Sequence, residues 1–300
     1  YIPKADGKKR PLGIPVIKDR IVQMAMKIVI EPVFEADFKE SSYGFRPKRN
    51  ARQALEIVRK ACNNQGLWVV DADIQGYFDN INHEKLMKLV EMRINDRRIL
   101  KMIRQWLKAG VMNEGKYEAS EIGSPQGGVI SPLLANIYLH YLDTVWEKHG
   151  QTLGKLVRYA DDFVIISRTK KDASEALELV KAIMRRLELK LHPEKTRLVS
   201  MWGGREGFDF LGMHHRSFVI HIDKTRKYQI MYQFPSKKAM KKMREVVKGE
   251  LARRSTLKLD IREMVEKLNP KIRGWRNYYG VNTARQWLGK IDWYILQRFT

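Results

Sequence analysis

"LVRYADDFVIIS" (residues 156–167) is an apolar run broken by two adjacent acids, Asp161 and Asp162. Leu156, Val157, Phe163, Val164, Ile165 and Ile166 read as two buried half-strands. Such a strand tolerates an ionised carboxylate poorly unless a partner offsets its desolvation. The four residues Tyr159–Asp162 suit a tight hairpin with Ala160 and Asp161 at the bend. Aspartate is common in turns, so this stretch alone leaves the pair open between turn residues and site residues.

A second stretch, "LWVVDADIQGYFDNINH" (67–83), again sets acids in an apolar strand. Side chains alternate along a strand, so Asp71 and Asp73 share a face. Laid beside the hairpin, this strand would bring Asp73 to Asp161 and Asp162. Three carboxylates at that spacing require cations. Hard divalent ions with oxygen ligands meet the need, and a pair of them is the machinery of in-line phosphoryl transfer.

The chain of 300 residues carries 57 Lys and Arg against 34 Asp and Glu, a net charge of +23. That imbalance implies a polyanionic partner, most simply nucleic acid. An anionic membrane surface is the weaker alternative, because the basic residues are spread along the chain. No apolar run of membrane-spanning length is present. The single cysteine, Cys62, excludes an internal disulfide and suits a reducing compartment. The sequence opens at Tyr1 in what reads as mid-domain, so a preceding segment is expected.

Helical spacing is expected over "KDRIVQMAMKIVIEPVFEADF", ending near Pro32, over "NARQALEIVRKACN" with Asn50 as its cap, over a long segment after the Gly/Pro-rich stretch at 123–132, and at 172–189. Near Pro235 the composition shifts: Ser236–Thr300 holds 17 Lys and Arg against 6 Asp and Glu. This tail reads as four helices with basic residues between apolar positions, two of them separated at Pro270.

These segments resemble the ordered motifs of reverse transcriptases. "DADIQGYFDNINH" resembles motif A, "GSPQGGVISPLLANIYL" motif B, "RYADDFVII" motif C, "LELKLHPEKTRLVS" motif D and "FDFLGMHHR" the primer-grip motif E. "YGFRPKRNA" (43–51) and the wording of motif B are most similar to group II intron reverse transcriptases, or maturases, and "IRGWRNYYG" resembles their thumb, or X domain. The resemblance implies an α+β right-hand polymerase: fingers and a palm with an antiparallel sheet over 1–235, then an α-helical thumb over 236–300.

It also implies roles. Asp73, Asp161 and Asp162, with the Ile74 backbone carbonyl, would hold two Mg²⁺ ions, with Mn²⁺ as a substitute. Asp71 and Asp79 would be structural. Lys4, Arg10, Phe78, Gln126 and Lys195 would meet the incoming nucleotide. Phe78 would exclude a 2′-OH, with Tyr77 as its rival, and Lys195 would offer a proton to pyrophosphate. Arg158, Gly212, Lys237, Lys241, Arg244, Lys271, Arg273 and Arg276 would meet nucleic acid. For each of these the plainer alternative is core packing, a turn or a solvated charge. Among Trp275, Tyr278, Tyr279, Trp287, Trp293 and Tyr294, most are expected in the core, while His214 and His215, on opposite faces of a strand, are expected to serve the primer grip or the structure.

The implied activity is RNA-directed DNA synthesis from dNTPs on an RNA template and DNA primer, together with binding of group II intron RNA in splicing and retrohoming. The alternatives are a maturase acting mainly by binding RNA, and a CRISPR-associated reverse transcriptase. The setting implied is the bacterial cytoplasm, with no membrane partner, and a homodimer is compatible with the sequence.

Overall fold

The computed structural model describes residues 2–3, 9–10, 13–64, 66–113, 116–118, 122–123, 127–221, 227–251 and 260–299. In chain order the elements are β1 (Ile2–Pro3), β2 (Lys9–Arg10), α1 (Ile17–Glu35), α2 (Ala51–Asn63), β3 (Trp68–Ala72), α3 (His83–Glu91), α4 (Arg97–Lys108), β4 (Val111–Asn113), β5 (Lys116–Glu118), α5 (Ser131–His149), β6 (Lys155–Tyr159), β7 (Asp162–Ser167), α6 (Lys170–Arg186), β8 (Arg197–Ser200), β9 (Gly207–Phe210), β10 (Met213–His221), β11 (Lys227–Pro235), α7 (Lys237–Leu251), α8 (Ile261–Tyr279) and α9 (Arg285–Phe299). The α+β class expected from sequence is observed.

Several boundaries follow from local chemistry. Asn50 caps α2 in a reciprocal pair: its Oδ1 accepts from Gln53 N at 3.0 Å, and its own N donates to Gln53 Oε1 at 2.9 Å. A Thr169–Asp172 capping box starts α6 two residues before the expected 172. Two proline expectations fail. α1 continues past Pro32 to Glu35, and α8 runs through Pro270 as one helix where two were expected. Pro270 is exposed, and the surrounding helix absorbs the loss of one N–H.

By compactness the chain divides into two units, Tyr1–Ala54 with Val70–Leu198, and Leu55–Val69 with Val199–Thr300. The division passes through β3 and β8, two strands of a four-stranded sheet ordered β6-β7-β3-β8. β6 and β7 pair antiparallel, from Lys155↔Ile166 to Tyr159↔Asp162. Val157, Val164 and Ile165 of this hairpin are wholly buried, as are Tyr138, Leu139 and Leu142 of α5.

The second unit contains an antiparallel sheet ordered β11-β10-β9 and the helices α7–α9, so the composition shift at Pro235 falls inside it. Met240, Met243, Val247, Leu268 and Ile291 form the helices' core. Gln233 N donates to Thr283 Oγ1 at 3.1 Å, that hydroxyl donates back to Gln233 O at 2.7 Å, and Trp287 stacks on Phe234 at 3.7 Å. Trp275, Trp287 and Tyr294 are half-buried against this core rather than inside it, and Trp293 is 63% exposed.

Candidate active site

The β6–β7 register leaves Ala160 and Asp161 as a two-residue loop, as the sequence suggested. Ala160 has φ +57° and Asp161 is not in the positive-φ region, so only the first bend residue takes the left-handed conformation. Arg158 holds the bend from below. It is 0% exposed and its Nη1 donates to Ala160 O at 2.8 Å and to Asn136 Oδ1 at 3.1 Å. Its Nε reaches Asp143 Oδ1 at 3.0 Å, and Nη2 reaches Ser42 Oγ at 2.7 Å and Asp143 Oδ2 at 2.5 Å. The expectation that Arg158 contacts nucleic acid is therefore corrected: the guanidinium is spent inside the protein.

Asp71 lies in β3 and Asp73 one residue beyond it. Ile74 bridges Leu191 antiparallel, while Gln75 N donates to Lys190 O at 2.9 Å and His192 N to Asp73 O at 2.8 Å. Ile74 and Leu191 are thus a non-hydrogen-bonded pair, and the Ile74 carbonyl points away from Leu191. The same segment brings two cations to the two acids. Lys195 Nζ lies 3.0 Å from Asp73 Oδ2, and Arg197 Nε 3.3 Å from Asp71 Oδ2.

Asp162 records the crowding of these acids. Burial, then the charges of Asp161, Asp73 and Asp71, push its pKa up to about 6, with Lys195 opposing. By exposed area Asp162 is an open side chain, whereas protein atoms crowd it densely enough to desolvate it. The like charges raise its pKa whatever weight burial carries. Among the described residues, no three His, Cys, Asp or Glu side chains already form a metal cage. The donor set still suits a hard cation, because clustered carboxylate oxygens are the ligands such an ion takes.

Next to Asp73, Gly76 (φ +54°) opens a 3₁₀ turn over Tyr77–Asn80. Tyr77 is 3% exposed, donates its hydroxyl to Ala135 O at 2.5 Å, and has its pKa driven upward by burial. Phe78 is half-buried and meets Tyr77 edge-on at 5.3 Å. Gly123 packs behind the turn; a Cβ there would stand 2.9 Å from Phe78 O and 3.0 Å from Asp79 O.

Lys4 and Gln126 lie outside the described residues, and so does the side chain of Arg10. In the second unit, Leu211 (φ +50°) and Gly212 (φ +77°) form the two-residue bend between β9 and β10. Tyr278 donates its hydroxyl to Leu211 O at 2.8 Å, and a Cβ on Gly212 would meet Tyr279 Oη at 2.6 Å. Lys237, Lys241, Arg244, Lys271, Arg273 and Arg276 are all exposed, with Lys271 bound to Glu250 at 2.5 Å. His215 is core: it stacks on Phe208 at 4.7 Å, and burial pushes its pKa down to about 3.

The sequence reading missed Asp143, Asn136 and Ser42, the partners of Arg158. The available signal was polar spacing in the apolar run of α5, where Asn136 and Asp143 are seven residues apart on one helix face. Arg197 was also missed, although it repeats the alternation of Lys195.

Comparison with known proteins supplies the family. Residues 2–215 match the model of reverse transcriptase (RNA-dependent DNA polymerase), and residues 236–300 match that of the group II intron maturase-specific domain. Protein YkfC of Escherichia coli K12 is 36% identical over 278 residues, covering 80% of this chain and 71% of YkfC. Group II intron-encoded protein LtrA of Lactococcus lactis is 44% identical over 144 residues, covering 48% of this chain and 24% of LtrA. Telomerase of Candida tropicalis, solved with a fragment of telomeric RNA, matches at 14% identity and a TM-score of 0.49, covering 95% of this chain and 50% of the telomerase chain. Ordered motifs, acidic hairpin and the two family matches agree: the chain belongs to the group II intron-encoded reverse transcriptases, RNA-directed DNA polymerases joined to a maturase domain.

Proposed function

We propose that the acidic cluster of Asp73, Asp161 and Asp162 is the catalytic centre and that, with the Ile74 carbonyl, it holds two Mg²⁺ ions. Bound there, the ions supply charge neutralisation and an activated primer hydroxyl. The observation that carries this reading is Asp162, whose pKa is pushed up to about 6 partly by three neighbouring carboxylates. Acids gathered at the end of a rigid hairpin suit a divalent cation.

The chain's own residues divide the remaining work. Arg158 fixes the bend that presents Asp161. Phe78, half-buried beside Asp73, lies against the sugar of the incoming dNTP, while Tyr77 is locked in the core and serves as its support. Lys195, already at Asp73, is placed to reach the triphosphate, and Lys4, Arg10 and Gln126 complete the nucleotide site. Gly212 and the exposed cations of α7 and α8 bind the primer, the RNA template and the intron RNA through their phosphates. Splicing assistance and retrohoming belong to the same reading, since both begin with intron RNA held on this surface.

The test is primer extension on an RNA template with dNTPs and Mg²⁺. Activity should be present in the parent chain and absent in a folded Asp161→Ala variant that still binds RNA. Extension surviving in Asp161→Ala would overturn the assignment.

A further inference from the structure

Phe45 combines two features rarely found together in a large apolar residue. The residue is 52% exposed, and its backbone lies at φ +57°. The left-handed region costs a residue with a Cβ roughly 1–2 kcal/mol. Conformations of that kind persist where the surroundings over-determine them, and they cluster at ligand sites.

The surroundings here are unusually firm. Before Phe45, Tyr43 N donates to Arg158 O at 2.9 Å and Arg158 N to Ser41 O at 2.7 Å. Gly44 O accepts from Asn136 Nδ2 at 2.8 Å. The Gly44 backbone is pressed onto the acidic hairpin, so that a Cβ there would stand 2.4 Å from Ala160 N and 2.9 Å from Tyr159 C. After Phe45, the buried Arg46 donates to Lys39 O at 2.6 Å, Ser42 O at 2.8 Å and Glu35 Oε1 at 2.6 Å. Both neighbours are anchored, and the residue between them turns its ring to solvent next to the glycine that touches the bend carrying Asp161. Three residues on, Lys48 repeats the pattern: exposed, with φ +59°. An exposed ring on a constrained backbone, followed by a basic side chain, is the pairing that holds a single-stranded nucleotide by its base and its phosphate.

We propose that Phe45 is a stacking platform for a nucleobase of the bound strands beside the reacting end, with Lys48 on the adjoining phosphate. This rests on the polymerase reading above. The base belongs either to the template or to the primer 3′ end, and both offer the same π-face.

The test uses the full chain, without dNTPs, and template–primer carrying 2-aminopurine either at the templating position or at the primer 3′ end. Binding should change the fluorescence at one of the two positions, which identifies the strand. Phe45→Gly relieves the backbone strain and removes the ring, so it should melt at or above the parent temperature yet bind about tenfold or more weakly and lose the fluorescence change. Phe45→Leu should behave like Phe45→Gly in binding, and Phe45→Trp should restore both signals. A folded Phe45→Gly or Phe45→Leu variant that keeps the parental affinity and fluorescence overturns the proposal. Because no turnover is involved, loss of stacking with primer extension intact would overturn this proposal alone and leave the polymerase reading standing.

Discussion

Lys195 Nζ stands 3.0 Å from Asp73 Oδ2, so an ammonium already faces a carboxylate that the proposed metal ions need. Lys195 is exposed and Asp73 half-buried, and the strength of the pair is on the order of 0.5 kcal/mol. Lys195→Gln should therefore bind Mg²⁺ or Mn²⁺ about two- to threefold more tightly in a calorimetric titration without nucleotide. Equal or weaker metal binding in the variant would show that the lysine does not compete.

Asp162 predicts a pH dependence of stability. Its folded pKa, about 6, lies above the unfolded value near 3.8. The folded state binds this proton more tightly, so the group's contribution is most favourable below pH ~4 and is lost as pH rises towards 6. Because the side chain is exposed, the cost above pH 6 is discounted to on the order of 1 kcal/mol. Asp162→Asn should raise the melting temperature in EDTA at pH 8 by a few degrees, and the gain should fade at pH 4. A gain independent of pH would remove the charge argument.

Arg158 and Asp143 are both fully buried, and removing either partner leaves a charge without its counterion. Arg158→Met or Asp143→Leu alone should cost about 3–5 kcal/mol in denaturant unfolding. The double variant should recover much of that loss. If each single variant costs under about 1 kcal/mol, the network does not hold the bend.

Sugar selection separates Phe78 from Tyr77. Phe78→Val should raise incorporation of ribonucleotides relative to deoxynucleotides in single-turnover extension. Tyr77→Phe loses the hydrogen bond to Ala135 O and should cost about 1 kcal/mol of stability while leaving selectivity unchanged. The opposite assignment of effects would move the gate to Tyr77.

The exposed cations of α7 and α8 make binding salt-dependent. Replacing Lys237, Arg244 and Arg273 by Gln should flatten the slope of log affinity against log salt by about 0.7–0.9 for each phosphate that the variant no longer neutralises. A slope equal to the parent's would mean that this face does not hold nucleic acid.

What the sequence disclosed was what local pattern encodes. The bend at Ala160–Asp161, the strand bearing Asp71 and the Asn50 cap each follow from residues a few positions apart. Arg158 could not be read this way. Its partners Asn136, Asp143 and Ser42 lie 22, 15 and 116 residues away in the chain, and a lone arginine before an acidic turn looks like a surface residue until the helix beneath is in place. Pro270 misled for the opposite reason, because a proline rule about hydrogen bonds was outweighed by a helix whose other turns are anchored through Leu268 and its neighbours. The ion pairs of Lys195 and Arg197 with Asp73 and Asp71 needed the sheet order, which no single segment carries.

The second compact unit is assembled from two stretches of chain with residues 70–198 between them. Leu55 O waits for Gln233 Nε2, Asn63 Oδ1 for Met231 N and Leu67 O for Met201 N. At ribosomal speeds the intervening stretch takes on the order of ten seconds to make. Throughout that interval the nascent chain carries the later part of α2, with Leu55 and Val58 destined for burial, before the residues that cover it exist. A ribosome stalled anywhere in that stretch holds Leu55 and Val58 of α2 without the part of the chain that completes their unit.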